Sequence, residues 1–169
     1  KNLLNQVSTA FSKTAVVIDA GSILDMSWAD DPKIGAILYA FQGGMESGNA
    51  LADVLYGDVN PSGRLTDTVA RCYEDYPASG NFGAADYNVY QEDIYVGYRY
   101  FETFARNRVL YPFGFGLSYT TFVMKTCYAL EDGECVLRTA VTNTGTLPGK
   151  EVVQVYAAPP QGKLGKPLR

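Results

Sequence analysis

Glu46 stands in a glycine-rich turn, GGMESGNA at 43–50, ahead of an apolar pattern with helical spacing. Such a turn can bind a phosphate through backbone N–H groups and the positive end of the helix dipole. The Lys-Ser/Thr pair of a P-loop is absent, and Glu46 places a negative charge where the phosphate would lie. We favour a helix start whose carboxylate satisfies the free N–H groups, with a sugar hydroxyl bound by Glu46 as the alternative.

Asp25, Trp28 and Asp30 follow the end of an apolar run, where α/β sheets often place ligand contacts. Trp28 could stack on a sugar ring, although a lone Trp beside a strand end more often packs against a neighbouring helix. Arg64 follows a Pro-containing turn, NPSG, and is interpreted as a structural ion-pair donor rather than a ligand. The candidate substrate-binding residues are therefore Trp28 and Glu46.

No histidine occurs in the chain, which removes His-based general bases, Ser-His-Asp or Cys-His nucleophiles and most zinc sites. Acid–base chemistry would have to come from carboxylates or tyrosines, and no metal site is predicted. The three cysteines, Cys72, Cys127 and Cys135, lack CxxC spacing. A bridge from Cys127 to Cys135 across a hairpin is possible in an oxidising compartment, but buried free thiols are the favoured interpretation.

The composition, with 47% hydrophobic and 13% aromatic residues, is ample for a packed core. A net charge of -4 without any Lys/Arg cluster argues against nucleic acid as a partner. No apolar run is long enough to span a membrane, and KNLLNQVSTAFSK has the polar interruptions of an amphipathic helix. No export signal is visible, which favours the cytoplasm slightly over secretion. The compartment stays open, because the abrupt start without Met suggests a piece of a longer chain, in which a signal peptide would lie upstream.

The first third of the chain alternates between helix and strand patterns. A helical pattern in NLLNQVSTAF (2–11) precedes the β-branched run TAVVIDAG (14–21). IGAILYAF (34–41) is read as a second buried strand, and GNALADVLYG (48–57) as a second helix. This alternation predicts a mostly parallel sheet with helices on its faces.

From Asp58 to Phe115 the hydrophobic periodicity is lost, and Gly, Pro, Asn and Tyr are frequent. Such an irregular region is typical of a functional segment or of a segment that wraps over a neighbouring domain. Within it, YQEDIYVGYRYFE (90–102) alternates like a strand, so that Glu92 and Asp93 would point to opposite faces. Its tyrosines suit sugar stacking, but a core or a domain interface is favoured. An ion pair between Glu92 and Arg99 is the simplest role for these two charges.

Three strand-like runs follow Leu117: SYTTFVMKTCYAL (118–130), CVLRTAVTNTG (135–145) and KEVVQVYAAPP (150–160). They are interpreted as consecutive strands of an antiparallel sandwich. A sandwich of this kind needs about seven strands and on the order of 100 residues, so the second domain is expected to be incomplete. The predicted domains are 1–117 and 118–169.

Four segments together carry a family resemblance: QGGMESGNALADVLYGDVNPSGRLTDT, YQEDIYVGYRYFE, YPFGFGLSYTTF and VTNTGTLPGKEVVQVY. In this order they resemble glycoside hydrolase family 3 β-glucosidases, and the match covers nearly the whole chain from Ala15 onward. The resemblance implies the later part of an α/β/α sandwich domain with a mostly parallel sheet. The start of an incomplete all-β fibronectin type III-like, or immunoglobulin-like, sandwich would follow it.

The resemblance implies a retaining glycosidase that hydrolyses β-glucosides or oligosaccharides without metal or other cofactor. Such enzymes use two carboxyl groups about 5 Å apart. In this family the nucleophile lies on a separate (β/α)8 barrel and the acid/base on a loop of the sandwich domain, and neither motif occurs in these 169 residues. No catalytic residue is therefore assigned. Whether the barrel precedes Lys1 or follows Arg169 is open, although QGGMESGNA, LTDT and APPQGKLGKP look closest to a subgroup in which it follows.

Two other function classes are considered: a noncatalytic carbohydrate-binding or scaffold module, and a nucleotide-binding α/β domain, which the absent phosphate motifs disfavour. The expected partners are a β-glucoside or oligosaccharide and the missing barrel, and a homo-oligomer is possible through the tyrosine-rich segment. A chain cut in this way should expose apolar faces and unpaired strand edges, and should be marginally stable alone.

Overall fold

The structure is a computed structural model, and it describes residues 2–169; Lys1, with which the first predicted domain begins, lies outside the described residues. The helices are α1 (Asn2–Ala10), α2 (Ser47–Tyr56) and α3 (Tyr98–Phe104). The strands are β1 (Ala15–Ile18), β2 (Ala36–Tyr39), β3 (Val69–Ala70), β4 (Val109–Tyr111), β5 (Phe122–Glu131) and β6 (Glu134–Asn143). Short 3-10 turns occupy Tyr73–Asp75, Pro77–Gly80 and Arg106–Arg108.

The first part of the fold is a parallel α/β unit. β1 pairs with β2 in parallel, with Ala15 opposite Ala36 and Ile18 opposite Tyr39. A helix precedes β1 and another follows β2, because apolar residues recur at helical spacing in both segments. The predicted helix and strand order of this region is confirmed.

The prediction that the tyrosine-rich segment YQEDIYVGYRYFE (90–102) forms a strand is wrong. Residues 91–94 form turns, and α3 begins at Tyr98 directly after Gly97, whose φ of 57° interrupts an extended chain. Phe101 and Ala105, four residues apart, are buried together on the inner side of this turn of helix. The predicted Glu92–Arg99 ion pair does not form among the described residues; Arg99 instead lies over the Tyr98 ring, 5.4 Å from its centroid.

The last part of the fold is an antiparallel hairpin. β5 pairs with β6 over its whole length, and the predicted turn is closed by Asp132 and Gly133, which both have positive φ. Residues 150–160, predicted as a third strand, form no ladder with any part of 2–169. A β-strand is assigned from its hydrogen bonds to a neighbouring strand, and no strand of the described chain lies beside residues 150–160.

The cysteines do not pair. Cys127 lies opposite Arg138 and Cys135 opposite Leu130 in the β5–β6 ladder, so the two thiols are not cross-strand partners. Leu130 is three residues from Cys127 along β5, so the two thiols lie at different levels of the ladder and on opposite faces of the hairpin. All three thiols are free and exposed, so the prediction that they would be buried is wrong.

The core is small for a chain of this length. Two clusters hold the buried apolar side chains: Ile18, Met26 and Val69 in one, and Ala70, Phe101 and Ala105 in the other. The chain exposes 12272 Å², whereas a folded monomer of this size exposes about 8,200 Å². The expected exposure of apolar faces and strand edges is therefore present. None of the helices within 2–169 has the length and apolar run needed to cross a bilayer.

Candidate functional site

The carboxyl ends of β1 and β2 lie at the same edge of the sheet, because the two strands are parallel. The loops that follow them carry both candidate residues, Trp28 after β1 and Glu46 after β2. Open α/β sheets bind ligands at this edge. The loop after β1 contacts the end of β2, since the Tyr39 hydroxyl donates a hydrogen bond to the Ser22 carbonyl oxygen. Trp28 and Glu46 thus lie on the two loops that leave the same edge of the sheet.

Trp28 is half-buried and packs against the cluster of Ile18, Met26 and Val69. Its indole Nε1–H donates to the carbonyl oxygen of Asp25 at 2.9 Å. One face of the ring is therefore part of the core, and the hydrogen bond fixes its orientation. The neighbouring carboxylate of Asp25 accepts a hydrogen bond from the Ser27 N–H at 2.9 Å, which closes a local turn.

Asp30 has a structural partner. Its Oδ2 lies 3.2 Å from the Arg71 guanidinium, which comes from the residue directly after β3. Both side chains are more than half exposed, so the pair adds little to stability. It nevertheless ties the loop after β1 to the β3–β4 ribbon and leaves Asp30 less suited to bind a ligand.

Glu46 is exposed and directly precedes α2. Its carboxylate makes no hydrogen bond to the backbone N–H groups at the helix start, so the expected capping role is not observed. Oε2 instead accepts a hydrogen bond from the Asn49 side-chain amide at 2.6 Å. Because Glu46 is exposed, its carboxylate is accessible to a hydroxyl-bearing ligand.

Phe41 is a residue of this edge that the sequence analysis missed. It lies two residues after the end of β2 and has a φ of 54°, which is unusual for a bulky side chain. Its ring packs on Tyr39 with centroids 4.7 Å apart. Burial, followed by the charge of Asp67, raises the pKa of the Tyr39 hydroxyl, so that group stays neutral and donates to Ser22. Backbone strain of this kind has no signature in composition or periodicity.

A second aromatic region lies where α3 meets the end of the chain. The Tyr98 ring packs on Phe113 in a tilted arrangement, with centroids 5.0 Å apart, and meets the ring of Tyr156 edge-on at 5.7 Å. A crevice of about 240 Å³ lies beside these rings. Its charged groups are paired, because Glu102 binds both Arg106 and Arg169. These contacts are those of packing, whereas Tyr90 in the same segment is 91% exposed.

No metal-binding group of three or more His, Cys, Asp or Glu side chains forms within the part of the chain that the structure describes. The ion pairs of that part use carboxylates for structure, as in the pair of Arg64 with Glu151. The prediction that Arg64 acts as a structural ion-pair donor is therefore confirmed. The site residues Trp28 and Glu46 stay predictions.

The fold defines a class of protein, a parallel α/β unit that runs into an antiparallel β-hairpin. The model of the glycosyl hydrolase family 3 C-terminal domain matches residues 1–119. The chain therefore belongs to glycoside hydrolase family 3, as its sequence segments indicated.

Relatives and solved structures agree with this assignment. The chain is 46% identical over its whole length to a beta-glucosidase of Ruminococcus albus, and 47% identical to Beta-glucosidase A of Butyrivibrio fibrisolvens. A beta-glucosidase from Paenibacillus barengoltzii matches 99% of the chain with a TM-score of 0.93 and 49% identity. That of Kluyveromyces marxianus in complex with glucose matches 99% with a TM-score of 0.90 and 39% identity. The chain spans only 18% and 23% of the two curated relatives, and 19% and 20% of the two solved chains.

Proposed function

We propose that this chain is part of a retaining β-glycosidase that hydrolyses O-glycosidic bonds of β-glucosides or oligosaccharides. The observation that carries the proposal is its match over 99–100% of its length to β-glucosidases from separate organisms, at 39–49% identity. Retaining hydrolysis needs a nucleophilic carboxylate and an acid/base about 5 Å apart on either side of the scissile bond. We place both outside these 169 residues.

The missing partner in this proposal is the (β/α)8 barrel that carries the nucleophile. The chain spans only 18% and 23% of the two curated relatives, which leaves room for such a domain. The large exposed apolar surface supports the same proposal, since surface of this kind marks contact with further protein. In this arrangement the chain contributes the sheet edge that borders the cleft, with the nucleophile on the facing domain.

Trp28 and Glu46 are the residues proposed to reach the sugar. Aromatic faces stack on the apolar side of a pyranose, and carboxylates accept hydrogen bonds from its hydroxyls. The exposure of Glu46 supports its part of the proposal. Trp28 has a weaker case, because core packing already accounts for one face of its ring.

We divide the chain at Leu117, with the α/β domain at 1–117 and the start of the fibronectin type III-like domain at 118–169. The proposal is supported by the change from a parallel pair of strands to a long antiparallel hairpin.

A surface suited to a homo-oligomer lies at 81–96, where Phe82, Tyr87 and Tyr90 are all exposed. Size-exclusion chromatography of the full-length protein before and after changing these three residues to Ser tests that assignment.

The proposed function is tested by hydrolysis of an aryl β-glucoside. We expect the full-length protein to be active and the 169-residue chain alone to be inactive. Turnover by the short chain would contradict the placement of the catalytic carboxylates outside it. Binding of the glucoside by the short chain, together with an inactive full-length protein, would instead favour a noncatalytic carbohydrate-binding module.

A further inference from the structure

The loop Asn60–Arg64, NPSGR, touches the 148–151 segment at every second residue. The three contacts are a hydrogen bond from Asn60 Nδ2 to the Pro148 carbonyl at 3.2 Å, one from the Lys150 N–H to Ser62 Oγ at 3.1 Å, and an ion pair between Arg64 and Glu151. The contacts join residues 87 or 88 positions apart in sequence. They connect the two parts of the chain on either side of Leu117.

Asn60 also holds the start of the second part. Its Oδ1 accepts a hydrogen bond from the Tyr119 N–H at 2.8 Å, and its amide group is within bonding distance of the Ser118 hydroxyl. A Cβ on Gly149 would lie 2.3 Å from Asn60 Nδ2, so only glycine permits this approach. One side chain therefore fixes two points of the second part at once.

In the Arg64–Glu151 pair one guanidinium nitrogen, Nη2, lies 2.7 and 2.9 Å from the two carboxylate oxygens. The side chains are only 11% and 15% exposed. Glu151 also accepts a hydrogen bond from the Val152 N–H at 2.8 Å. A pair this shielded from water is costly to break by removal of one partner, because the other charge is left without compensation.

We propose that the Asn60–Arg64 loop is a docking site for the second domain, and that it makes the joint at Leu117 rigid. Contacts between domains within a chain are commonly mobile. Here the contacts reach Tyr119, at the start of the second domain, and Glu151, 32 residues further on. Two separate points of attachment prevent rotation about the connecting segment. The inference rests on the domain division at Leu117 and not on glycosidase activity.

The backbone around the joint supports the same conclusion. The Leu65 N–H donates to the Phe115 carbonyl at 2.8 Å, and the Gly114 N–H donates to the Leu65 carbonyl at 2.7 Å. Gln154 further donates from its side-chain amide to the Gly114 carbonyl at 3.3 Å. The connecting segment is thus held on both sides and does not behave as a free linker.

The test uses the full-length protein and two variants, each of which weakens a different contact between the Asn60–Arg64 loop and the second domain. Arg64→Met removes the charge, and Gly149→Ala forces the Asn60 amide away. The matched controls are Arg138→Met, which breaks the bidentate but exposed pair with Glu131 inside one hairpin, and Gly162→Ala, where a Cβ meets only a side-chain end 4.0 Å away. Differential scanning calorimetry and limited chymotrypsin digestion at Phe113–Tyr119 are the readouts.

We expect Arg64→Met and Gly149→Ala each to increase cleavage at Phe113–Tyr119 at least about tenfold. Each should also lower Tm or split the calorimetric transition in two. The controls should do neither. Combining Arg64→Glu with Glu151→Arg should recover part of the loss. Equal effects from Arg64→Met and Arg138→Met would overturn the proposal. Unchanged cleavage in both Arg64→Met and Gly149→Ala would also overturn it.

Hydrogen exchange of the unmodified full-length protein gives a measurement that does not depend on any variant folding. The amide protons of Tyr119 and Lys150 bond only to side chains of the loop, Asn60 and Ser62. A rigid joint protects both amides as strongly as those of α2. Fast exchange at both amides, with α2 protected, would show that the joint opens and would contradict the inference.

Discussion

The hydroxyl of Tyr76 donates a hydrogen bond to the carbonyl oxygen of Thr68, with an oxygen–oxygen distance of 3.0 Å. The same hydroxyl accepts a hydrogen bond from the Ala70 N–H at 2.9 Å. These two backbone groups lie on the edge of β3 opposite β4, so a side chain takes the place of a neighbouring strand there. Burial raises the pKa of Tyr76, which keeps the hydroxyl protonated and able to donate.

Tyr76→Phe should destabilise the full-length protein by about 1–3 kcal/mol. The ring contact with Phe101, 5.5 Å between centroids, is retained, so the loss reports the two hydrogen bonds. Tyr73→Phe is the control, because the exposed Tyr73 hydroxyl makes only one long bond, of 3.4 Å, to Ser79. Urea unfolding measures both variants. An equal change in the two would show that the β3 edge does not depend on Tyr76.

The two glycines Gly97 and Gly48 should respond in opposite directions to substitution by alanine. Gly97 has φ 57° and ψ −124°, a conformation that an L-residue adopts only with strain. Gly48 lies inside α2, where a Cβ would meet nothing within 4 Å. We expect Gly97→Ala to cost about 1–3 kcal/mol and Gly48→Ala to gain about 0.5–1 kcal/mol. Thermal unfolding of the two variants, measured side by side, distinguishes these signs.

Local patterns were enough to predict the α/β unit and the hairpin. The helical spacing of α1 and α2, the β-branched residues of β1 and the Asp-Gly turn at 132–133 act over a few residues and agree with the final fold. The tyrosine-rich segment misled because bulky residues at 94, 96, 98 and 100 alternate while Phe101 and Ala105 also have helical spacing. The helix is favoured over the strand because it buries Phe101, which is 1% exposed. Only tertiary contacts provide that burial.

The candidate site shows the same division between local and distant information. Parallel pairing places the ends of β1 and β2 at one edge of the sheet, in agreement with the parallel sheet that the strand pattern indicated. The partners of Asp30 and Arg64 lie 41 and 87 residues away, so no spacing rule could supply them. Residues 150–156 have the composition of a strand, but a strand needs a neighbour, and composition carries no information about which segment lies alongside.

Glu102 should make the stability of the protein sensitive to acid. Burial alone would raise the pKa of this carboxyl, but hydrogen bonds from Arg169 and Arg106 outweigh it, so the pKa lies below the ordinary value of 4.5. A lowered folded-state pKa gives stability that is present above pH 4.5 and is lost as the pH falls through the folded value. The Tm difference between the full-length protein and Glu102→Gln should therefore be constant near neutral pH and shrink below it.

The matched comparison for this titration is Glu131→Gln, whose carboxylate also binds an arginine but is 46% exposed. Its Tm difference should be small throughout, because an exposed pair contributes about 0–1 kcal/mol. A Tm difference for Glu102→Gln that widens on acidification would mean that the folded-state pKa is raised. That result would contradict the role of Arg106 and Arg169.

Glu46 provides the cleanest test of the predicted substrate contact. Its side chain is exposed and accepts a hydrogen bond from Asn49, so Glu46→Gln should change stability by less than about 0.5 kcal/mol. If its carboxylate binds a sugar hydroxyl, KM for an aryl β-glucoside should rise about tenfold, since a hydrogen bond to a charged group contributes about 1.5 kcal/mol or more. Asp58→Asn, an exposed carboxylate just beyond the other end of α2, is the control and should leave KM unchanged. Unchanged KM and kcat in Glu46→Gln would remove Glu46 from the site, while a fall in kcat at constant KM would place its contact in the transition state.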